Sequence, residues 1–496
     1  MQAIFQHGSS SHTWASTTVN ITKLRVLALF VVTYFTCGWL WFPVFLLSLV
    51  GYIFWWGMGT GWLHLFYPDK QIGPFRFQLD DIMSDERLVR LTDVSNSPLI
   101  FKDRTKYAMY GIPKHDKRKI PFLAFVEGYR TSEIDLKPGS DLQDELRKAQ
   151  NWSYNALTLS YLKFVVLGYL PDVIRHTRKQ DEDQVKEHYN RGNDFFNWFL
   201  GPTMCYTSGY YLSTSDSVET AQYQKIRLVL NKTKAYRTFP DGRKLRHLDL
   251  GTGWGTLVCY ASKHFNTDSM GISLSEEGIK YCQENARGLG VFERTRFEVA
   301  DYRDMGLKAQ SHIGAGNKYD VITCLEMAEH VGIKNFSSFL SLVMDNLADD
   351  GYFYLQIAGL RENPKMSDLA WGVFMNRYIF PGADASMPLG WVIHQLELAG
   401  FEVHSVETIG VHYADTIKSW YNYWLSNKTA AIAKYGEQMY RTWELFLAWS
   451  SITPEQGSCT CYQIVSNKNL NAFDRRKDYF AEGKRNYDFD GKSAAI

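Results

Sequence analysis

The stretch His247-Leu248-Asp249-Leu250-Gly251-Thr252-Gly253-Trp254-Gly255-Thr256 carries an apolar strand into three glycines at alternate positions, and a helical pattern begins where they end. Glycine there lets the backbone turn sharply and approach a ligand with no Cβ in the way, while the first amides of the following helix face an anionic group. The spacing differs from the G-x-G-x-x-G dinucleotide fingerprint, and no Lys follows to meet phosphates, which argues against NAD and ATP. By itself the turn points to a nucleotide-like ligand at the carboxyl end of a strand. A tight turn of no function reads the same way.

Outward from this stretch, from Arg243 onward, apolar runs alternate with helical patterns, which predicts an α/β fold built on a Rossmann-like, doubly wound parallel sheet. The predicted strands are His247-Leu250, Ser269-Ile272, Arg296-Val299, Tyr319-Leu325 and Tyr352-Ile357, with later ones at Glu402-Ile409 and Cys461-Val465. Between Glu362 and Leu389 the alternation lapses into aromatic- and Met-rich sequence, expected to form a helical lid insertion over the crevice at the strand ends.

The 496 residues are 45% hydrophobic and 22% charged, a globular composition that excludes disorder and fibrous repeats. Lys+Arg 54 against Asp+Glu 53 leaves a net charge of +1, so no basic field draws the chain to nucleic acid. Seven cysteines, an odd number, suit a reducing compartment. Cys459 and Cys461 are the close pair, and with no second pair to complete four ligands no metal site is expected. The aromatic fraction of 15% is high for an enzyme of polar substrates and points to lipid.

Lys23 and Arg25 are followed by no Asp, Glu, Lys or Arg until Asp69. The run from Val26 to Pro68 is long enough for two bilayer crossings of about 20 residues each, with Pro43 as the break. Trp39 and Trp41 sit toward one interface, with Trp55, Trp56, Trp62 and Tyr67 toward the other. Basic residues before the hairpin, and Lys70 and Arg76 after it, put both ends in the cytosol. The expected organisation is a cytosolic tail 1–25, two transmembrane helices 26–68, a membrane-proximal region 69–180 with no recognisable chemistry, a catalytic domain 181–471 and a polar tail 472–496. Within 69–180, Leu157 to Leu170 suits either a membrane-surface helix or a core helix.

Five motifs in order now become specific: His188-Tyr-Asn-Arg-Gly-Asn193-Asp194-Phe-Phe with Phe199-Leu-Gly-Pro202-Thr-Met-Cys-Tyr206-Thr207-Ser208, then Gly271-Ile-Ser273-Leu274-Ser275, Glu326-Met-Ala-Glu329-His330-Val-Gly332 and Tyr378-Ile-Phe-Pro381-Gly382, around the glycine turn. Together they closely resemble the cyclopropane fatty acid synthase family of S-adenosylmethionine-dependent methyltransferases. The segments Leu355-Gln356-Ile-Ala-Gly-Leu360-Arg361 and Gly382 to Trp391 are most similar to fungal sphingolipid C9-methyltransferases. That subgroup methylates carbon 9 of the long-chain base of a ceramide with a double bond at carbon 8.

The resemblance implies that S-adenosyl-L-methionine lies against Tyr206 and Thr207, against Asp249 and the turn Gly251, Gly253 and Gly255, and against Ser273, Leu274, Asp301 and Tyr302. The family often carries Gln where this chain has Gly278. Attack of an alkene on a sulfonium methyl leaves a carbocation, which calls for negative charge, aromatic faces and a base. Glu329 is the expected carboxylate, with His188 as an orienter and Tyr206, Phe380, Trp371 and Trp391 as candidate aromatic neighbours. Cyclopropane synthases of the family hold a bicarbonate ion with a Cys, a His and a Tyr besides the Glu. The first two positions correspond to Ser208 and Gln356 here, and the third to Phe446.

The expected partners are therefore a membrane, an unsaturated ceramide and no nucleic acid, with self-association left open and the endoplasmic reticulum as the site. Cyclopropanation of phospholipid acyl chains, methylation of an amine, and a membrane scaffold with an inactive transferase domain stay open as other readings.

Overall fold

The structure, a computed structural model, describes residues 99–101, 120–148, 152–153, 159–165, 167, 178, 188–189, 191–383 and 386–471. The expected membrane hairpin and both tails lie outside these residues. No helix among the described residues is long and apolar enough to cross a membrane.

Seven strands form the central sheet: β1 Arg246–Leu250, β2 Asp268–Ser273, β3 Thr295–Val299, β4 Tyr319–Leu325, β5 Leu347–Leu360, β6 Phe401–Thr408 and β7 Cys459–Lys468. Their order across the sheet is β6-β7-β5-β4-β1-β2-β3. The alternation located all seven. The fifth is longer than expected, because Leu347 pairs with Tyr319 and a register shift between Tyr319 and Val321 absorbs Asp349 and Asp350.

The expectation of a wholly parallel sheet is corrected at β7, which is antiparallel to both β5 and β6. β6 ends beside the start of β7, with Thr408 paired to Tyr462 and the Ile409 N–H donating to the Cys461 carbonyl at 2.8 Å. The intervening helices bring the chain back to the end it left, so β7 has to run in the opposite direction.

Both sheet faces are covered, and the period-2 alternation of strands sets which residue goes where. Along β5, Phe353 and Leu355 pack with Phe336, Phe339 and Leu340 of a helix Gly332–Asn346 on one face. Tyr352 and Tyr354 pack on the other face with Ile226, Val229 and Leu230 of helix Val218–Lys232.

An aromatic helical layer forms a further core. It comprises α1 Phe122–Arg130, α2 Asn193–Leu200, α3 Met366–Tyr378, α4 Gly410–Ser426 and α5 Glu437–Glu455. Phe195, Phe196 and Phe199 of α2 are fully buried in it beside Trp424 of α4 and Trp443 of α5. The insertion after β5 is α3, and Trp371 and Phe374 anchor it in the same core.

Part of the stretch that showed no chemistry in sequence, α1 and the residues after it, is built into this layer. The Phe122 ring lies 4.4 Å from that of Trp449, Tyr129 donates to Glu444 at 2.9 Å, and Arg441 pairs with Asp135 at 3.1 Å. Between Leu157 and Leu170 the described helix is Leu159–Phe164, and Tyr161 on it is buried in the aromatic core.

Candidate active site

A cleft of about 1210 Å³, counting the open solvent at its mouth, lies at the carboxyl ends of β1, β2 and β4. Of the sequence-predicted cofactor residues, Tyr206, Thr207, Asp249, Gly251 and Gly253 line it from one side, and Ser273, Leu274, Asp301 and Tyr302 from the other. Gly253, at φ +56, has nothing within 4 Å of the position its Cβ would take, so a side chain there would project into open space.

Gly251, at φ +79, is needed for a different reason: a Cβ would meet Met327 at 2.6 Å. Gly255 differs from the expectation. It lies outside the lining, and a Cβ there would come within 2.9 Å of Cys282 and Phe297, so its missing side chain lets these two pack against the start of the following helix, Thr256–His264. Gly278, where relatives often have Gln, would place a Cβ 2.9 Å from the Gly253 carbonyl. Glycine at that position keeps the turn and the neighbouring helix in contact.

The charged groups of the cleft match a zwitterionic amino acid joined to adenosine. Asp249 is buried and accepts a hydrogen bond from the Thr323 hydroxyl at 2.6 Å. Burial lifts its carboxyl to about 6, against the pull of Thr323, Thr252 and Lys225. Lys225, a residue the sequence reading missed, is buried on the same wall and donates to Thr207 Oγ1 at 2.6 Å. It sits inside an ordinary amphipathic helical pattern, so no local signal marks it.

Asp301 accepts from the Arg303 N–H at 2.8 Å and pairs with its guanidinium at 2.9 Å, and that guanidinium lies 4.6 Å from the Tyr302 ring centre. With Lys225 for an α-carboxylate, Asp249 for an α-ammonium and Asp301 with Tyr302 for an adenine edge and face, the donor set fits S-adenosylmethionine.

The expected catalytic residues separate into layers around Glu326, which the motif contains but which was not singled out. Glu326 lines the cleft. Its Oε1 accepts from the Ser208 N–H at 2.8 Å, from Gln356 Nε2 at 2.6 Å and from the Cys461 thiol at 3.6 Å. The Tyr413 phenol lies near the same carboxylate: burial, then the charge of Glu326, raises its pKa. Ser208 and Gln356 thus come together as expected, but on a carboxylate of the chain itself. Ser208 does so through its backbone, since its hydroxyl donates to the Gly209 carbonyl at 2.9 Å. The Phe446 ring lies against Trp443 at 5.2 Å and Phe380 at 6.1 Å, and Tyr413 is the phenol near the carboxylate.

Glu329 lies behind this layer. It is buried, its Oε1 accepts from the Ala358 N–H, and its Oε2 has no partner among the described residues. Burial, then the charge of Glu326, raises its carboxyl to about 8.

His188 is fully enclosed, and burial above all holds it well below the usual histidine range. The neutral ring therefore donates from Nδ1 to the Ile379 carbonyl at 2.8 Å. It is stacked with Tyr206 at 6.0 Å and packed against Phe380 at 4.3 Å, and it borders a second cavity with Arg130, Arg191 and Arg377. Of the four candidate aromatic neighbours, Tyr206 and Phe380 face each other at 6.0 Å near the cleft. Trp371 donates to Ser450 at 3.0 Å inside the helical layer, and Trp391 packs on Phe336 at 5.1 Å under the sheet.

Among the described residues the six cysteines are free and buried, and no cluster of His, Cys, Asp and Glu could hold a metal.

Comparison with known proteins accounts for this geometry. The mycolic acid cyclopropane synthetase family matches residues 176–464. A sphingolipid C9-methyltransferase of Komagataella phaffii is 47% identical over 72% of this chain and 72% of its own length. Sphingolipid C9-methyltransferase A of Emericella nidulans is 45% identical over 72% of this chain and 67% of its own. Among solved structures, the mycolic acid cyclopropane synthase CmaA1 complexed with SAH superposes with a TM-score of 0.52 at 25% identity, covering 58% of this chain and 98% of that one. The chain belongs to the mycolic acid cyclopropane synthetase family of S-adenosylmethionine-dependent methyltransferases.

Proposed function

We propose that the protein transfers a methyl group from S-adenosylmethionine to carbon 9 of the sphingoid base of a ceramide unsaturated at carbon 8. The observation that carries this reading is the 47% identity to a sphingolipid C9-methyltransferase across 72% of both chains. When bound, the cofactor supplies an electrophilic methyl on a sulfonium. Lys225, Asp249 and Asp301 are the residues to hold it. The rings of Tyr206 and Phe380 give a developing carbocation aromatic faces, and the carboxylate of Glu326 gives it negative charge.

The uncharged run 26–68 with its basic flanks supports a membrane anchor that keeps the domain on the cytosolic face of the endoplasmic reticulum, where a ceramide can be reached from the bilayer.

The test is incubation of the full chain with cofactor and, in turn, C8-unsaturated ceramide, phospholipid with an unsaturated acyl chain, and an amine. Methylation of the ceramide alone is expected. Ring closure and branching add the same CH₂ mass, so proton NMR decides the product. A trisubstituted alkene keeps one vinyl proton, whereas upfield ring protons would show a cyclopropane and overturn the branching reading.

A further inference from the structure

Glu326, the residue after β4, has φ +54, a backbone conformation that residues other than glycine rarely adopt. Such a residue persists only where its surroundings over-determine it, and the inference runs from the outlier to a role. Here the surroundings are explicit. Its N–H donates to the Gln356 carbonyl at 2.7 Å. Its carboxylate gathers the Ser208 N–H, the Gln356 amide and the Cys461 thiol, from the loop after α2, from β5 and from β7, with the Tyr413 phenol of α4 nearby. Three separate segments aim donors at one side chain on the wall of the cofactor cleft.

All three of those bonds fall on Oε1. Oε2 has two lone-pair directions of its own, and it is the oxygen left to accept a proton.

Resting on the function proposed above, we infer that Glu326 is the base that completes the reaction. Methyl transfer uses the alkene π pair to form the new C–C bond at C9 and leaves C8 two electrons short, the pair of the broken C–S bond staying with the donor's sulfur. Glu326 then takes the proton from C9. The C–H pair becomes the new C8=C9 π bond, the carboxylate becomes a carboxylic acid, and its proton passes to solvent.

Glu329 is placed for a different part. It is buried behind Glu326, and that burial, then Glu326's charge, raises its carboxyl to about 8. The clamp fixes the geometry of the acceptor, which is what proton removal from a short-lived cation requires.

The experiment compares the full-length wild type with E326Q and E326G. Both variants are expected to bind S-adenosylmethionine within threefold of wild type by calorimetry. E326G should melt no lower than wild type, because glycine adopts φ +54 freely. Turnover of C8-unsaturated ceramide should fall at least about 100-fold in both. Sodium formate, small enough to enter the space the side chain leaves, should restore turnover of E326G at least tenfold and not that of E326Q, whose amide fills the space. Turnover within threefold of wild type in either variant, or an E326G that formate leaves unchanged, would overturn the assignment. A wild type that methylates no C8-unsaturated ceramide would instead overturn the substrate reading, and the assignment with it.

Discussion

At the scale of single residues, two glutamates three positions apart take opposite parts because of one backbone angle. Glu326 turns its side chain into the cleft, and Glu329, on the next turn, is buried against the Ala358 N–H. Sequence showed both and could not rank them, since the sign of φ at Glu326 depends on donors from three distant segments. Burial makes Glu329 a sensor of pH. Its carboxyl is raised to about 8, so the folded state holds the proton where the unfolded chain has lost it. Its contribution to stability is fully present below the ordinary carboxylate range and declines as pH rises. Between about pH 5 and 8 the slope is about 1.4 kcal/mol per pH unit, and above 8 the contribution is lost. Glu329→Gln stays neutral throughout. Urea denaturation at pH 5, 6.5 and 8 should therefore show the variant gaining on wild type as pH rises, and a constant difference between the two would refute the buried neutral acid.

At the scale of elements, the strands were legible and the aromatic layer was not. Strand residues such as Phe353 and Tyr354 announce themselves by alternation, because each face of the sheet must be covered by something apolar. The helix Phe122–Arg130 has no such local signal: its buried face is nearly its whole surface, and its partners on α5 lie more than three hundred residues away. Phe122 is fully buried against Trp449, so Phe122→Ala should cost about 3–5 kcal/mol of stability. Chemical denaturation of the full chain measures this. A variant as stable as wild type would make this stretch a mere spacer. The reversed direction of β7 was equally invisible, since a strand's sequence does not record which end of the sheet its preceding helices return to.

At the scale of the whole molecule, the run 26–68 is proposed to tether the catalytic domain, and both of its ends are expected in the cytosol. Glycosylation tags placed before Val26 and after Pro68 should both stay unmodified, in a protein that remains with washed membranes. Modification of either tag would overturn the topology, and recovery of the intact protein in a soluble fraction would overturn the hairpin. Sequence by itself determined the α/β fold, the strand positions, the glycine turn and the family, because each is written in local spacing or in motifs that have to stay contiguous to work. Only the tertiary structure decided that Lys225 belongs to the cofactor cleft, that Gly255 serves packing, that Tyr413 comes near Glu326 and that Glu326 is the carboxylate held among Ser208, Gln356 and Cys461. These depend on donors and walls brought together from segments far apart in the chain, and distance along a sequence carries no record of which of them will meet.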